Sequence, residues 1–158
     1  DTITIENINT IKEKTGTEGL PVWQLIEEKL DIIRSVAISL PRTLNYNDFY
    51  YTNLVVARDG SSALVFDYNL LGKGYIYSDI RNVCCSLGND DAREAFLSEY
   101  GNFDENEKLV DDVIDSLYSL YVACQREIFP NWANNLLEKL KDGTLLAAVE
   151  KLLEEVGR

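Results

Sequence analysis

The chain has 158 residues, of which 46% are hydrophobic and 27% charged, and this composition is typical of one globular domain with an apolar core. Its formal net charge of −12 argues against nucleic acid and anionic membranes as partners, because both attract basic protein faces. The chain has no histidine, so any metal would be held by oxygen ligands, which favours Mg²⁺ or Ca²⁺ over zinc.

Cysteine and methionine usage adds two expectations about the protein's setting. The three cysteines, Cys84, Cys85 and Cys124, include an adjacent pair and leave an odd thiol, so we expect free, buried thiols in a reducing cytoplasm. Methionine is absent even at position 1, so we expect that Asp1 is not a translation start and that the chain is either a piece of a longer protein or a sequence from which residues are missing.

Apolar residues recur at helical spacing through the first 40 residues. The spacing of Ile5, Ile8 and Ile11 predicts a short amphipathic helix that ends at Gly16. Residues 22–40 predict a long helix, which the following proline stops.

The segment that follows lacks the helical spacing of the first 40 residues. Two short β-type runs, "NLVVA" and "ALVFD", flank the turn "RDGSS", which predicts a hairpin whose second strand ends on Asp67. We expect "YNLLGKGYIYSD" to be a loop, and Ser78 or Asp79 to cap the first of several helices that continue to the C-terminus. The predicted fold class is therefore mainly α with a small β-hairpin.

Three oxygen-bearing side chains flank this hairpin. Asp48 precedes the first strand, Asn53 begins it, and Asp67 ends the second strand, so pairing of the strands would bring all three to one end. Phosphoryl transfer needs such a set, because a carboxylate must orient the nucleophile and oxygen ligands must hold Mg²⁺ on the triphosphate. Asp and Asn are also common turn residues, which is the simpler interpretation of each one alone.

The spacing of these residues also resembles a known motif. Asp-x-x-x-x-Asn followed by a hairpin and a second Asp is the arrangement of a kinase catalytic loop and its metal-binding Asp. The stretch "YNDFYYTNLVV" resembles the H-G-D-x-x-x-x-N loop of the aminoglycoside phosphotransferase and choline kinase family. "ALVFDY" resembles the second motif of that family, and "SDIRNV" resembles the helix start that follows it; the matched region is roughly residues 40–88.

The resemblance implies a role for each matched residue. Asp48 would be the catalytic base, and Asn53 and Asp67 would hold Mg²⁺, with ATP as the co-substrate. Asp79 would have a structural role as a helix cap near the loop. Tyr46 stands where the family has its His, and a phenol could supply part of the hydrogen bonding with which that His braces the loop.

The resemblance also implies a domain organisation. The chain would be the C-terminal lobe of a protein-kinase-like fold, with leading helices in 1–43, the catalytic loop and metal-binding hairpin in 44–80, and a helical subdomain in 81–158. The ATP-binding N-terminal lobe of such kinases has no counterpart in this sequence, so that lobe would be a partner. We expect the isolated chain to bind nucleotide poorly and to turn over little.

The substrate is expected to be a small hydroxylated molecule, and a cationic one such as an aminoglycoside or choline. Aromatic faces attract ammonium groups, and acidic side chains add negative potential. Packed tyrosines and water-facing helix acids are the simpler interpretation of the same residues. The candidate substrate contacts are Tyr50, Tyr51, Tyr68, Asp111, Asp112 and Asp115.

Two other functions compete with that of a small-molecule kinase lobe. A kinase-like module that binds or regulates without catalysis is favoured by Tyr46 in the place of His, and is disfavoured by the intact Asp48, Asn53 and Asp67. The second competing function is that of a plain helical interaction domain in which the kinase-like motif arises by chance.

Overall fold

The computed structural model describes residues 3–156, which are mostly helical, as the sequence predicts. The helices are α1 Ile5–Thr15, α2 Pro21–Ser39, α3 Ile76–Ser86, α4 Asp90–Tyr100, α5 Glu105–Cys124, α6 Asn134–Lys141 and α7 Thr144–Val156. The strands are β1 Thr43–Asn45, β2 Leu54–Val56, β3 Ala63–Val65 and β4 Gly72–Gly74, and 3-10 turns occupy Tyr51–Asn53 and Asn131–Ala133. None of the helices within 3–156 combines the length and apolarity needed to span a bilayer.

The chain divides into two compact units. The helical unit comprises the chain up to Leu40 together with the chain from Leu109 onward. The hairpin unit is Pro41–Lys108, which contains all four strands, α3 and α4.

The two leading helices begin and end where their sequences indicate. Thr4 caps α1 through a capping box with Asn7. Gly16 caps the C-terminus of α1, and its φ of 63° is the left-handed conformation that glycine adopts without strain. Pro21 opens α2 at a position where a missing N–H costs nothing, and α2 ends at Ser39. Both predicted helices are confirmed.

The core of the helical unit is formed by apolar side chains that recur along its helices. Trp23, Ile26 and Leu117 are each at most 1% exposed, and α2 packs against α7. The indole N–H of Trp23 donates to the hydroxyl of Thr17 at 3.2 Å, so its polar atom is satisfied inside the core.

The predicted hairpin is present in the hairpin unit, but its second strand is shorter than expected. β2 and β3 pair antiparallel, with Leu54 opposite Val65. The Phe66 N–H still donates to the Asn53 carbonyl, but Asp67 has a φ of 65°, which an extended strand cannot accommodate. Our expectation that the strand ends on Asp67 is therefore wrong by two residues.

A second pair of strands lies in segments where the sequence shows no β pattern. β1 and β4 pair antiparallel, with Thr43 opposite Gly74, so "YNLLGKGYIYSD" is not a loop throughout. Gly74 permits a close approach, because a Cβ there would lie 3.0 Å from Cγ of Asn45. The buried Asn45 amide donates to the Tyr75 carbonyl at 2.5 Å, which fastens β1 to the start of α3.

Helix α3 begins at Ile76, three residues earlier than a cap at Ser78 would allow, so neither Ser78 nor Asp79 is its N-cap. The carboxylate of buried Glu107 instead accepts the Tyr77 N–H at 3.1 Å, which satisfies a donor in the first turn.

The cysteines agree only in part with our expectation of buried thiols. Cys124 is buried and Cys84 is half-buried, but Cys85 is exposed, so the expectation is wrong for that residue. All three are free thiols, as expected. Adjacent helical residues point about 100° apart, and this is why neighbours such as Cys84 and Cys85 differ in burial.

Candidate functional site

The loop between β1 and β2 places Asp48 and Asn53 in direct contact. The side-chain amide of Asn53 donates to Oδ2 of Asp48 at 2.9 Å and to the Asp48 carbonyl at 3.1 Å. A 3-10 turn from Tyr51 brings Asn53 back toward Asp48, and the Asn53 N–H donates to the Tyr50 carbonyl at 2.8 Å. This turn converts a separation of five residues into one hydrogen-bonded pair.

Asp67 lies two residues beyond β3, in an uncommon backbone conformation. Asp67 and Asn47 are the two non-glycine residues with positive φ, 65° and 62°, among those that the structure describes. Such strain concentrates at functional sites, where the surrounding structure holds it in place. Asn47 stands where the H-G-D motif of the kinase family has Gly, and Asn tolerates a left-handed backbone better than most residues.

Tyr46 connects the loop to the chain that leads into Asp67. Its hydroxyl donates to the carbonyl of Phe66, and its ring meets that of Tyr68 edge to face, with centroids 5.9 Å apart. Partial burial, together with the negative charges of Asp48 and Asp67, raises the pKa of the Tyr46 phenol above its ordinary value. Both carboxylates therefore lie near one phenol.

The carboxylate of Asp79 holds the backbone of the loop. Its two oxygens accept the N–H groups of Tyr46 at 2.8 Å and Asn47 at 2.9 Å. The expected role of Asp79 as a helix cap is wrong, because α3 starts before it and its oxygens are directed at the loop. Asp79 instead fixes the two residues that precede Asp48.

Two further residues of α3 hold the loop, and the sequence analysis missed both. The side-chain oxygen of Asn82 accepts the Phe49 N–H at 2.5 Å, and the Ser86 hydroxyl donates to the Phe49 carbonyl. Asp79, Asn82 and Ser86 are spaced i, i+3 and i+7, so they share one face of α3. We name these three residues the α3 clamp. The sequence pattern that could have identified Asn82 and Ser86 is the helical spacing of polar residues that follow the loop.

Asn53 and Asp67 each carry a side-chain oxygen of the kind that binds Mg²⁺, although Oδ1 of Asp67 also accepts the side-chain amide of Asn69 at 2.6 Å. Mg²⁺ bound to a nucleotide takes one or two protein oxygens and completes its shell with phosphates and water. The Asn53 amide nitrogen is bonded to Asp48, which leaves its oxygen as the ligand atom, and Asp67 is exposed. Within residues 3–156 no three acidic or cysteine side chains gather into a metal site of their own.

The predicted substrate contacts are divided between the two units. Tyr50 and Tyr51 are exposed, with ring centroids 4.6 Å apart, and the hydroxyl of exposed Tyr68 donates to the Val65 carbonyl at 2.6 Å. The acids Asp111, Asp112 and Asp115 lie on α5 in the helical unit, where Asp111 is buried and the other two are half-buried. The substrate role of all six stays a prediction.

Comparison with protein-family models, with curated proteins and with solved structures finds no match to this chain.

Proposed function

We propose that this chain is the C-terminal catalytic lobe of a small-molecule kinase, which transfers the γ-phosphate of ATP to a hydroxyl of a cationic substrate. The observation that carries the proposal is the gathering of Asp48, Asn53 and Asp67 around Tyr46 at the end of the hairpin opposite its turn. A catalytic carboxylate and two oxygen ligands are the set that phosphoryl transfer requires.

Asp48 would accept or orient the proton of the attacking hydroxyl. Its Oδ2 is held by Asn53, and the α3 clamp fixes the backbone on either side of it, so the carboxylate is presented in one orientation. A positioned general base contributes roughly 10²–10⁴-fold to the rate.

Asn53 and Asp67 would hold Mg²⁺, which supplies neutralisation of the phosphate charge when bound. The left-handed backbone at Asp67 supports this role, because a strained conformation is retained where the position of the side chain matters. Through its hydrogen bond to Phe66, Tyr46 would hold the loop that carries Asp48 next to the segment that carries Asp67.

The proposal includes an ATP-binding lobe that packs on the hairpin. Val55 and Leu64 lie opposite each other on one face of the hairpin and are 55% and 71% exposed. A two-stranded ribbon is marginally stable by itself, and exposed apolar side chains on it favour a further layer of protein.

The alternative is a kinase-like module that binds nucleotide or a partner without catalysis. Tyr46 in place of the family's His favours this alternative. The Tyr46 hydroxyl donates to the Phe66 carbonyl, so the shape of the loop is held without the His that the kinase family uses. Such a module would keep the fold of the loop without turnover.

The test is an assay of Mg²⁺-dependent ATP consumption with a panel of hydroxylated amines and sugars. The assay is made on the longest natural chain that contains residues 1–158, with Asp48→Asn beside the wild type. We expect turnover that a hydroxylated amine stimulates, and a loss of roughly 10²-fold or more in Asp48→Asn.

Asp91→Asn is the matched control, because it removes the same charge from an exposed position in the first turn of α4. Nucleotide binding without turnover across the panel would support the non-catalytic module. Equal turnover in Asp48→Asn and the wild type would exclude Asp48 as the base.

A further inference from the structure

The hairpin unit contains a groove that the proposed function does not use. The groove lies among β1, α3 and α4 and has a volume of about 470 Å³. Its apolar lining includes Leu44, Ile80 and Val83, together with the rings of Phe96 and Tyr100. None of Asp48, Asn53 and Asp67 lines it.

The size and exposure of the groove are those of a ligand site. Pockets for small organic molecules have volumes of about 300–1,000 Å³ and mostly apolar linings. Among the lining residues, Leu44 is 71% exposed, Tyr100 45% and Ile76 43%, so apolar side chains of the groove are in contact with water. An apolar ligand would cover this surface and gain the corresponding transfer free energy.

The only charged group among the residues that line the groove is the carboxylate of Asp79. Each of its oxygens accepts one backbone N–H, from Tyr46 and from Asn47. A carboxylate has about four acceptor sites, so these two bonds leave capacity for a donor that enters the groove. A charged donor would also neutralise the half-buried carboxylate.

Two aromatic rings add to the attraction for a cation. Phe96 and Tyr100 lie one turn apart on α4, with ring centroids 5.8 Å apart, and both line the groove. The faces of aromatic rings attract ammonium groups. The net charge of −12 raises the local concentration of cations further.

We propose that this groove binds an amphipathic organic amine, with the ammonium on Asp79 and the hydrocarbon or aromatic body against Val83, Phe96 and Tyr100. The groove shares Asp79 with the α3 clamp but contains none of the residues proposed to contact ATP, Mg²⁺ or the hydroxyl, so amine binding can be measured whether or not the chain is a kinase. Asp79 also holds Tyr46 and Asn47, so a bound amine would be sensed at the loop that carries Asp48.

The experiment compares three probes that share a phenyl ring but differ in charge. Phenethylamine, 2-phenylethanol and 3-phenylpropanoate are titrated at equal ionic strength and pH 7 into the ¹⁵N-labelled chain of 158 residues. We expect saturable shifts of amide resonances with phenethylamine alone. The shifts should fall on α3 and α4 residues of the groove and on Tyr46 and Asn47.

Variants at matched tyrosines then locate the site. Tyr100 and Tyr118 are 45% and 41% exposed, but only Tyr100 lines the groove. We expect Tyr100→Ala to raise the Kd for phenethylamine by about fivefold or more, since it removes an aromatic ring against which the phenyl group of the probe packs. Tyr118→Ala should leave the Kd unchanged, and amide spectra of both variants report whether the fold is intact.

Four results would overturn the proposal. Equal binding of 2-phenylethanol would show an apolar groove without selection for charge. Shifts that spread over acidic surface residues without saturation would show only general attraction to a chain of net charge −12. Equal weakening by Tyr100→Ala and Tyr118→Ala, or no binding of phenethylamine, would place no amine site in the groove.

Discussion

At the scale of single residues, Tyr46 reports whether the two carboxylates of the site lie together. Partial burial and the charges of Asp48 and Asp67 raise the pKa of its phenol. We predict that Asp67→Asn lowers this pKa toward the ordinary tyrosine value of about 10, because one of the negative charges that oppose ionisation is removed. The measurement is the phenolate absorbance of each protein as pH rises, minus that of its Tyr46→Phe counterpart.

The sign of the effect on stability follows from the same shift. A raised pKa in the folded state means that the unfolded chain loses its phenol proton first, so stability from Tyr46 is present below about pH 10 and is lost as pH rises through the folded pKa. Asp91→Asn serves as the control, because Asp91 is not among the groups that act on Tyr46. If Asp67→Asn left the pKa of Tyr46 unchanged, Asp67 would not lie close to Tyr46 and Asp48.

At the scale of elements, α3 acts as the support on which the loop is built. We predict that Ser86→Ala, which removes the hydroxyl that donates to the Phe49 carbonyl, lowers the free energy of unfolding by about 1 kcal/mol. The amide protons of residues 46–49 should also exchange faster, because one of the bonds that hold the loop is lost. Urea unfolding and hydrogen exchange measure the two effects.

The control for this prediction is Ser98→Ala on the neighbouring helix α4. Ser98 is exposed, so its replacement should leave stability unchanged or raise it slightly through the higher helix propensity of alanine. Ser86→Ala that behaves like Ser98→Ala in both measurements would show that the Ser86 hydroxyl does not hold the loop.

The elements differ in how far the sequence predicts them. Helices α1 and α2 were predicted closely, because apolar spacing, a glycine and prolines mark their extent. The pair β1 and β4 was missed, because strands of three residues show no periodicity and Gly72–Gly74 reads as a turn. Its pairing depends on contacts between residues about 30 positions apart, which local patterns do not contain.

The candidate site shows the same limit. Asp48, Asn53 and Asp67 were identified because their spacing resembles a motif, and the structure places them around Tyr46. Asn82 and Ser86 were missed, because they bond Phe49 across 33 and 37 residues of chain and belong to no motif. Side chains that hold a site through hydrogen bonds to its backbone are hard to identify from a single sequence.

At the scale of the whole molecule, apolar burial is distributed unevenly between the two units. Fully buried aliphatic side chains such as Ile26, Val113 and Leu117 belong to the helical unit. In the hairpin unit, Val55, Leu64 and other large apolar residues of the strands are more than half exposed. The helical unit therefore supplies most of the hydrophobic stabilisation of this chain, whereas the apolar side chains of the hairpin stay largely exposed.

We predict that the same leucine truncation destabilises the chain far more in the helical unit than in the hairpin unit. Leu117→Ala empties a fully buried position and should cost about 2–5 kcal/mol of unfolding free energy, whereas Leu64→Ala, at a position 71% exposed, should cost less than about 0.5 kcal/mol. Urea unfolding of the 158-residue chain measures both. A loss of several kcal/mol in Leu64→Ala would mean that the hairpin is already covered in this chain, and the proposed packing of an ATP-binding lobe on Val55 and Leu64 would then have no surface to use.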